Sequence, residues 1–189
     1  MGWVLLLLGL AHWAGLHLMR SVAPDARAAL QNRLGDGSKG VITLGLLASV
    51  GLMVWSANIV PFVTVWSPPG FLTHVNNLLM LLAFYIFLTS ATQVGAAFMF
   101  GSLKNPQLTG FKVWAAAHLL VNGDLASILL FGGLLAWAVA EVIFSKRVPG
   151  LVDRGTAPIS APLVHLGLVV VVFVGVAAIH AIWRWPFGG

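Results

Sequence analysis

Six stretches of this chain, at about residues 2–20, 40–62, 71–99, 107–122, 124–145 and 161–183, are almost free of charge, and most are long enough to cross a lipid bilayer. A backbone in hydrocarbon must satisfy its N–H and C=O groups within its own segment, so each stretch reads as a helix. Charged residues make up 8% of the 189 positions, against roughly a quarter in an ordinary soluble domain. The mean hydropathy is +0.97. Five or six crossings of about 20 residues use nearly the whole length and leave no room for a separate soluble domain. The expected architecture is all-α: one polytopic domain over residues 1–189, a bundle of about six transmembrane helices.

The punctuation between the stretches fixes their ends. MGWVLLLLGLAHWAGLHLMR has the apolar core of a signal peptide, but its first basic residue, Arg20, follows that core, so it reads as a retained span. In SVAPDARAALQNRLGDGSKG, Ala26, Leu30 and Leu34 recur at helical spacing beside Arg27 and Arg33, which predicts a short interfacial helix. Pro61 closes the second stretch, SPPG at 67–70 is a turn, and Pro106 opens the fourth. That fourth helix, ending at Asn122, has about 16 residues and a length of about 24 Å, short of a hydrocarbon core of about 30 Å. It should be buried among neighbours or reach the surface at one end only. The stop that follows is Asn122-Gly123-Asp124, where Asn suits a left-handed cap, Gly frees the turn and Asp124 caps the next helix.

Basic residues report orientation. Arg20, Arg27, Arg33, Lys39, Lys104, Lys112, Lys146, Arg147 and Arg154 fall on one side of a six-span topology, and Arg184 alone falls on the other. Both termini are therefore expected on the non-cytoplasmic face. Although the net charge is +5, the basic residues sit in loops rather than in one stripe, so they signal topology and not a nucleic-acid partner. Membrane lipids are the implied surroundings. The eight tryptophans gather toward span ends, as interfacial anchors do.

Several chemistries are excluded. The absence of cysteine removes disulfides, thiolate nucleophiles and thiolate-held metals or haem. No G-x-S-x-G, P-loop or H-E-x-x-H occurs. Asp124 and Glu141 are the only acids in the spans, too few for a paired-carboxylate hydrolase, and Glu141 is expected to pair with Lys146 or reach for the interface.

Six histidines remain, all in or at the edge of an apolar stretch: His12, His17, His74, His118, His165 and His180. An imidazole in a span either bonds across helices or serves a site such as a metal or haem iron. His12 and His17 are five residues apart, about 140° around their helix, and cannot share one site centre. His118 stands out because Ala115, Ala116 and Ala117 precede it, leaving room for a close helix or a flat ligand.

The stretch KNPQLTGFKVWAAAHLLVNGDLASILLFGGLLAWAV resembles the NnrU family of bacterial membrane proteins, which takes in the plant and cyanobacterial 15-cis-zeta-carotene isomerases. The motif falls on Lys104, Pro106, Gly110, Trp114, His118, Asn122, Gly123, Asp124, Phe131 and Gly132. GLHLMRSVAPDARAALQNRLGDG is similar to the family's opening, with His17 at its histidine, and IHAIW to its closing span, with His180. Where the family has Arg-His-Pro, this chain has Lys104-Asn105-Pro106. The same motif is loosely similar to that of the isoprenylcysteine carboxyl methyltransferases, whose cofactor-binding residues are not evident here.

The resemblance implies a protein of the bacterial inner membrane. It also implies a b-type haem held by His17 and His118, with His12 as the alternative to His17 and with Arg20, Lys104 and Lys112 near the haem propionates. It further implies a role in nitrogen-oxide respiration (denitrification) through redox, sensing or maturation, with respiratory or other membrane-complex proteins as partners. Two alternatives follow from the same source: a carotenoid cis–trans isomerase with an apolar polyene substrate, and a non-catalytic subunit or assembly factor. For the orientation, a reporter enzyme that works only outside the cytoplasm, fused after Gly189 in a bacterial host, should be active. A fluorescent protein that matures only in the cytoplasm should stay dark there; the reverse pattern overturns the topology.

Overall fold

The computed structural model describes residues 1–92, 105–145 and 162–182, and among them the chain forms seven helices. They are α1 (Gly2–Val22), α2 (Pro24–Leu34), α3 (Gly37–Ile59), α4 (Leu72–Thr92), α5 (Pro106–Val121), α6 (Leu125–Ser145) and α7 (Pro162–Ile182). Lys104, Lys146, Arg147, Arg154, Arg184 and the end of the third apolar stretch lie outside the described residues. Five helices are long and apolar enough to cross a membrane: α1, α3, α4, α6 and α7. The sixth expected span, α5, is 16 residues long. Large apolar side chains face outward on the long helices, among them Leu44 at 68%, Leu78 at 69% and Val171 at 66% exposure. Water would penalise such a surface, and lipid does not. The protein is a polytopic helical membrane protein.

Prolines set three breaks, those at Pro61 and Pro106 as the sequence predicts and one at Pro24 besides. Ala23 leaves the helical region (φ −132°, ψ 61°) because a residue ahead of proline is held out of it, and Pro24 starts α2. Val60 is extended (φ −74°, ψ 147°) ahead of Pro61 and ends α3. Pro106 opens α5. The second apolar helix begins three residues before Gly40, because the polar stretch is tied down there. Fully buried Ser38 bonds to Gln31, and Lys39 pairs with Asp36 at 2.9 Å. The short helix α2 forms as expected, although no residue on it is buried and Leu34 is 47% exposed.

The chain divides into two compact units, Met1–Val65 with Asp124–Leu151, and Trp66–Gly123 with Val152–Gly189. In the first unit, α1 packs against α3 and α6, and α2 rests on α1 and α3. Its start of α6 is held by an isolated antiparallel bridge between Thr64 and Asp124, with the Leu125 N–H donating to the Val63 carbonyl at 2.8 Å. Asp124 caps α6 as expected, its carboxylate accepting from the Ser127 N–H at 3.0 Å.

In the second unit, α4 packs along α5 and also against α7. A Cβ on Gly110 would lie 2.6 Å from the Ala83 carbonyl oxygen and 2.7 Å from the Phe87 nitrogen, so only glycine admits this approach of two backbones. Ala115 and Ala117 are fully buried on α5, and Gln107 is that helix's sole exposed residue. The short helix is thus enclosed, as its length requires.

The end of α5 differs from the left-handed cap expected at Asn122. Asn122 is extended (φ −111°, ψ 106°), and the helix is closed by its backbone N–H and its side-chain amide, which both donate to the His118 carbonyl at 3.0 and 2.8 Å. Gly123 is required by contact and not by a positive φ: a side chain there would collide with the Trp66 carbonyl, whose own N–H donates to the Gly123 carbonyl at 3.1 Å. Replacing Gly110 by alanine should destabilise the protein by about 1–3 kcal/mol, because overpacked seams must shift. Thermal unfolding in detergent measures this, and an unchanged midpoint would contradict the close approach.

Candidate functional site

The first unit builds its site from α1 and α6. A tryptophan and a histidine four residues apart on a helix share one face, and Trp13 and His17 do so with ring centroids 4.3 Å apart. Trp137 of α6 closes the group, 4.5 Å from His17 and edge-on to Trp13 at 5.3 Å. The His17 Nδ1 lies 3.1 Å from the Trp13 carbonyl, which accepts its proton and so assigns the proton to that nitrogen. The ring is thereby fixed in the tautomer whose Nε2 carries the lone pair that a metal needs. Two further buried polar atoms in this unit, the Trp13 Nε1 and the Glu141 Oε2, have no hydrogen-bond partner among the described residues. The expected partner of Glu141, Lys146, lies outside those residues.

His12 has a different task. Ser49 of α3 gives its hydroxyl proton to the Gly45 carbonyl at 2.9 Å, leaving its oxygen to accept from the His12 Nδ1 at 2.8 Å. His12 thus bonds across helices, the structural reading of a histidine in a span. Arg20, three residues after His17, is exposed on the last turn of α1.

The second unit repeats the arrangement on α5. Trp114 and His118 are again four residues apart, with ring centroids 4.8 Å apart, and the Trp114 carbonyl accepts from the His118 Nδ1 at 2.9 Å. Phe111 packs on Trp114 at 5.0 Å. An apolar cleft of about 190 Å³ opens along α4 and α5, lined by Ala83, Phe84, Phe87, Gly110, Phe111 and Trp114. His180 of α7, its Nδ1 held by the Val176 carbonyl at 2.9 Å, lies near enough to His118 for the two to interact electrostatically. His165 is 1% exposed and donates from Nε2 to the Tyr85 carbonyl at 3.0 Å, edge-on to the Tyr85 ring. It ties α7 to α4. Lys112 is half-buried, about 9 Å along and about 120° around α5 from His118.

A family model described as NnrU protein matches residues 5–186. The chain belongs to the NnrU family. No protein of curated function and no solved structure matches it. Of the NnrU-like residues, His17 with Arg20 falls in the first unit and His118 with Lys112 in the second, whereas Lys104 lies outside the described residues. No group of three or more His, Asp or Glu among the described residues is placed to hold a metal ion directly.

Trp13 and Trp137 escaped the sequence reading. For Trp13 the signal was present, since WAGLH repeats the spacing of WAAAH. Trp137 joins only through the packing of α6 on α1. A double-mutant cycle of Ser49→Ala and His12→Ala, read by unfolding in detergent, should give a coupling of about 0.5–1.5 kcal/mol, that of one hydrogen bond. Additive effects would remove the bond from the fold.

Proposed function

We propose that this NnrU family member is a haem-b-binding protein of the bacterial inner membrane that supports nitrogen-oxide respiration, with His17 and His118 as its haem-ligating histidines. The observation that carries the reading is the repeated Trp-x-x-x-His device. In each, the Nδ1 proton is given to the carbonyl one turn back, which orients the ring and keeps Nε2 as the basic nitrogen. Tethering of this kind is what metal-bound histidines generally have, and it supports the reading. His12, committed to Ser49, is the weaker alternative. Arg20, about 4.5 Å along α1 from His17, is the basic residue best spaced for a propionate. Bound haem would supply one-electron transfer or gas sensing. The chain's own part is to hold the imidazoles, surround them with tryptophan and exclude water.

A second reading is carotenoid cis–trans isomerisation, which the aromatic cleft along α4 and α5 favours because its wall is apolar and suits part of a polyene. At about 190 Å³ the cleft is below the usual range for a drug-sized ligand, roughly 300–1,000 Å³. This ranks the isomerase second. A non-catalytic subunit or assembly factor is the third reading, and it predicts stable co-purification with a membrane complex and no cofactor.

Absorption spectra of protein from haem-replete cells separate the three. Wild type should show a Soret band with low-spin features, His17→Ala and His118→Ala should each lose those features, and His12→Ala should keep them. A wild type with no Soret band removes haem and leaves the third reading. Conversion of 15-cis-zeta-carotene under reducing conditions would promote the second.

A further inference from the structure

A cleft of about 410 Å³ in the first unit is lined by Arg20, Pro24, Arg27, Ala28 and Gln31, with no histidine among them. Pro24, Arg27, Ala28 and Gln31 are spaced 0, 3, 4 and 7 along α2, so they form one face of that helix. Arg20 adds a second guanidinium from the last turn of α1, and none of the lining residues is acidic. Asp25 is exposed and not part of the lining, and Asp36 is paired with Lys39.

Arg27 is held in place from within the protein. One of its terminal nitrogens, Nη1, donates to the Gln31 side-chain oxygen at 3.2 Å and to the Ser38 hydroxyl at 3.4 Å. Ser38, fully buried, donates to the same Gln31 oxygen. The remaining guanidinium donors make no hydrogen bond to described residues, and Arg27 lines the cleft. The planar guanidinium fork matches the oxygens of a phosphate.

We infer that this cleft binds the phosphate group of an anionic phospholipid from the membrane leaflet beside α2. Free inorganic phosphate presents the same oxygens, but α2 connects two membrane spans, α1 and α3, which puts the cleft where headgroups lie. Basic pockets at the cytoplasmic ends of spans are suited to such headgroups, and nearby basic residues contribute about 1 kcal/mol each. Arg20 is shared with the proposed propionate contact and Arg27 is not, so the test is made at Arg27.

The test uses the full chain in a mild detergent, with bound lipid counted by native mass spectrometry during titration with phosphatidylglycerol or phosphatidylcholine. Wild type should retain phosphatidylglycerol preferentially. Arg27→Gln should weaken that binding about fivefold, the equivalent of one basic contact. Arg27→Lys keeps the charge without the fork and should bind between wild type and Arg27→Gln, which guards against a folding defect. Arg33→Gln, on α2 but outside the cleft, should behave as wild type. Equal retention of the two lipids, or an unchanged Arg27→Gln, overturns the inference. Inorganic phosphate that binds as tightly as phosphatidylglycerol in lipid-free protein overturns the lipid assignment and makes the site one for the free anion. If Arg27→Gln loses haem while its lipid preference stays intact, the cleft serves porphyrin carboxylates and the inference is wrong.

Discussion

A peptide group in hydrocarbon finds no water, so every N–H and C=O must be matched inside the protein. That requirement makes this chain a set of helices, and it makes each interruption a place where backbone groups need another partner. The structure supplies one at each break that matters. At Asp124 a carboxylate caps α6 and a single antiparallel bridge carries the preceding chain. At Asn122 a side-chain amide and a backbone N–H share the His118 carbonyl. Polar residues in the apolar segments are accordingly few, and most are committed to a backbone group.

The histidines obey the same economy. His17, His118 and His180 each direct Nδ1 to the carbonyl one turn back, His165 uses Nε2 on the Tyr85 carbonyl, and His12 takes a serine. The first pattern leaves the chemically useful nitrogen pointing away from its own helix, whereas the last two bind helices together. Tryptophan then distinguishes His17 and His118 from His180, because each has an indole four residues earlier packed on its ring. The Trp-x-x-x-His spacing that carries the family resemblance is thus also a packed unit in the structure.

Much of the fold was legible before any coordinates. Proline is a local rule, so the breaks at Pro61 and Pro106 could be read directly, and five of the six apolar stretches matched their helices within three residues, the end of the third lying outside the described residues. Asp124 was legible as a cap for the same reason. Asn122 was not, because its extended backbone depends on the next two residues being held against residues far away in sequence. Gly123 was misread in the same way: its need is a collision with Trp66, which no local rule reveals. In the candidate site, His17 and His118 were legible through spacing and resemblance, while Trp137 arrives from a helix more than a hundred residues later. The early start of α3 likewise reflects Ser38 and Gln31, a contact between elements rather than a propensity.

The tether from each imidazole to the preceding turn has a consequence for how this sequence can change. A ring tied to its own helix cannot swivel independently, so the bearing of its second nitrogen is inherited from the phase of that helix. An insertion or deletion of one residue in α5 between Gly110 and Trp114 would preserve the Trp-x-x-x-His unit and its internal bond, yet turn it by about 100° relative to the Gly110 contact with α4. Composition and hydropathy would survive such a change, and the direction in which the histidine presents itself would not.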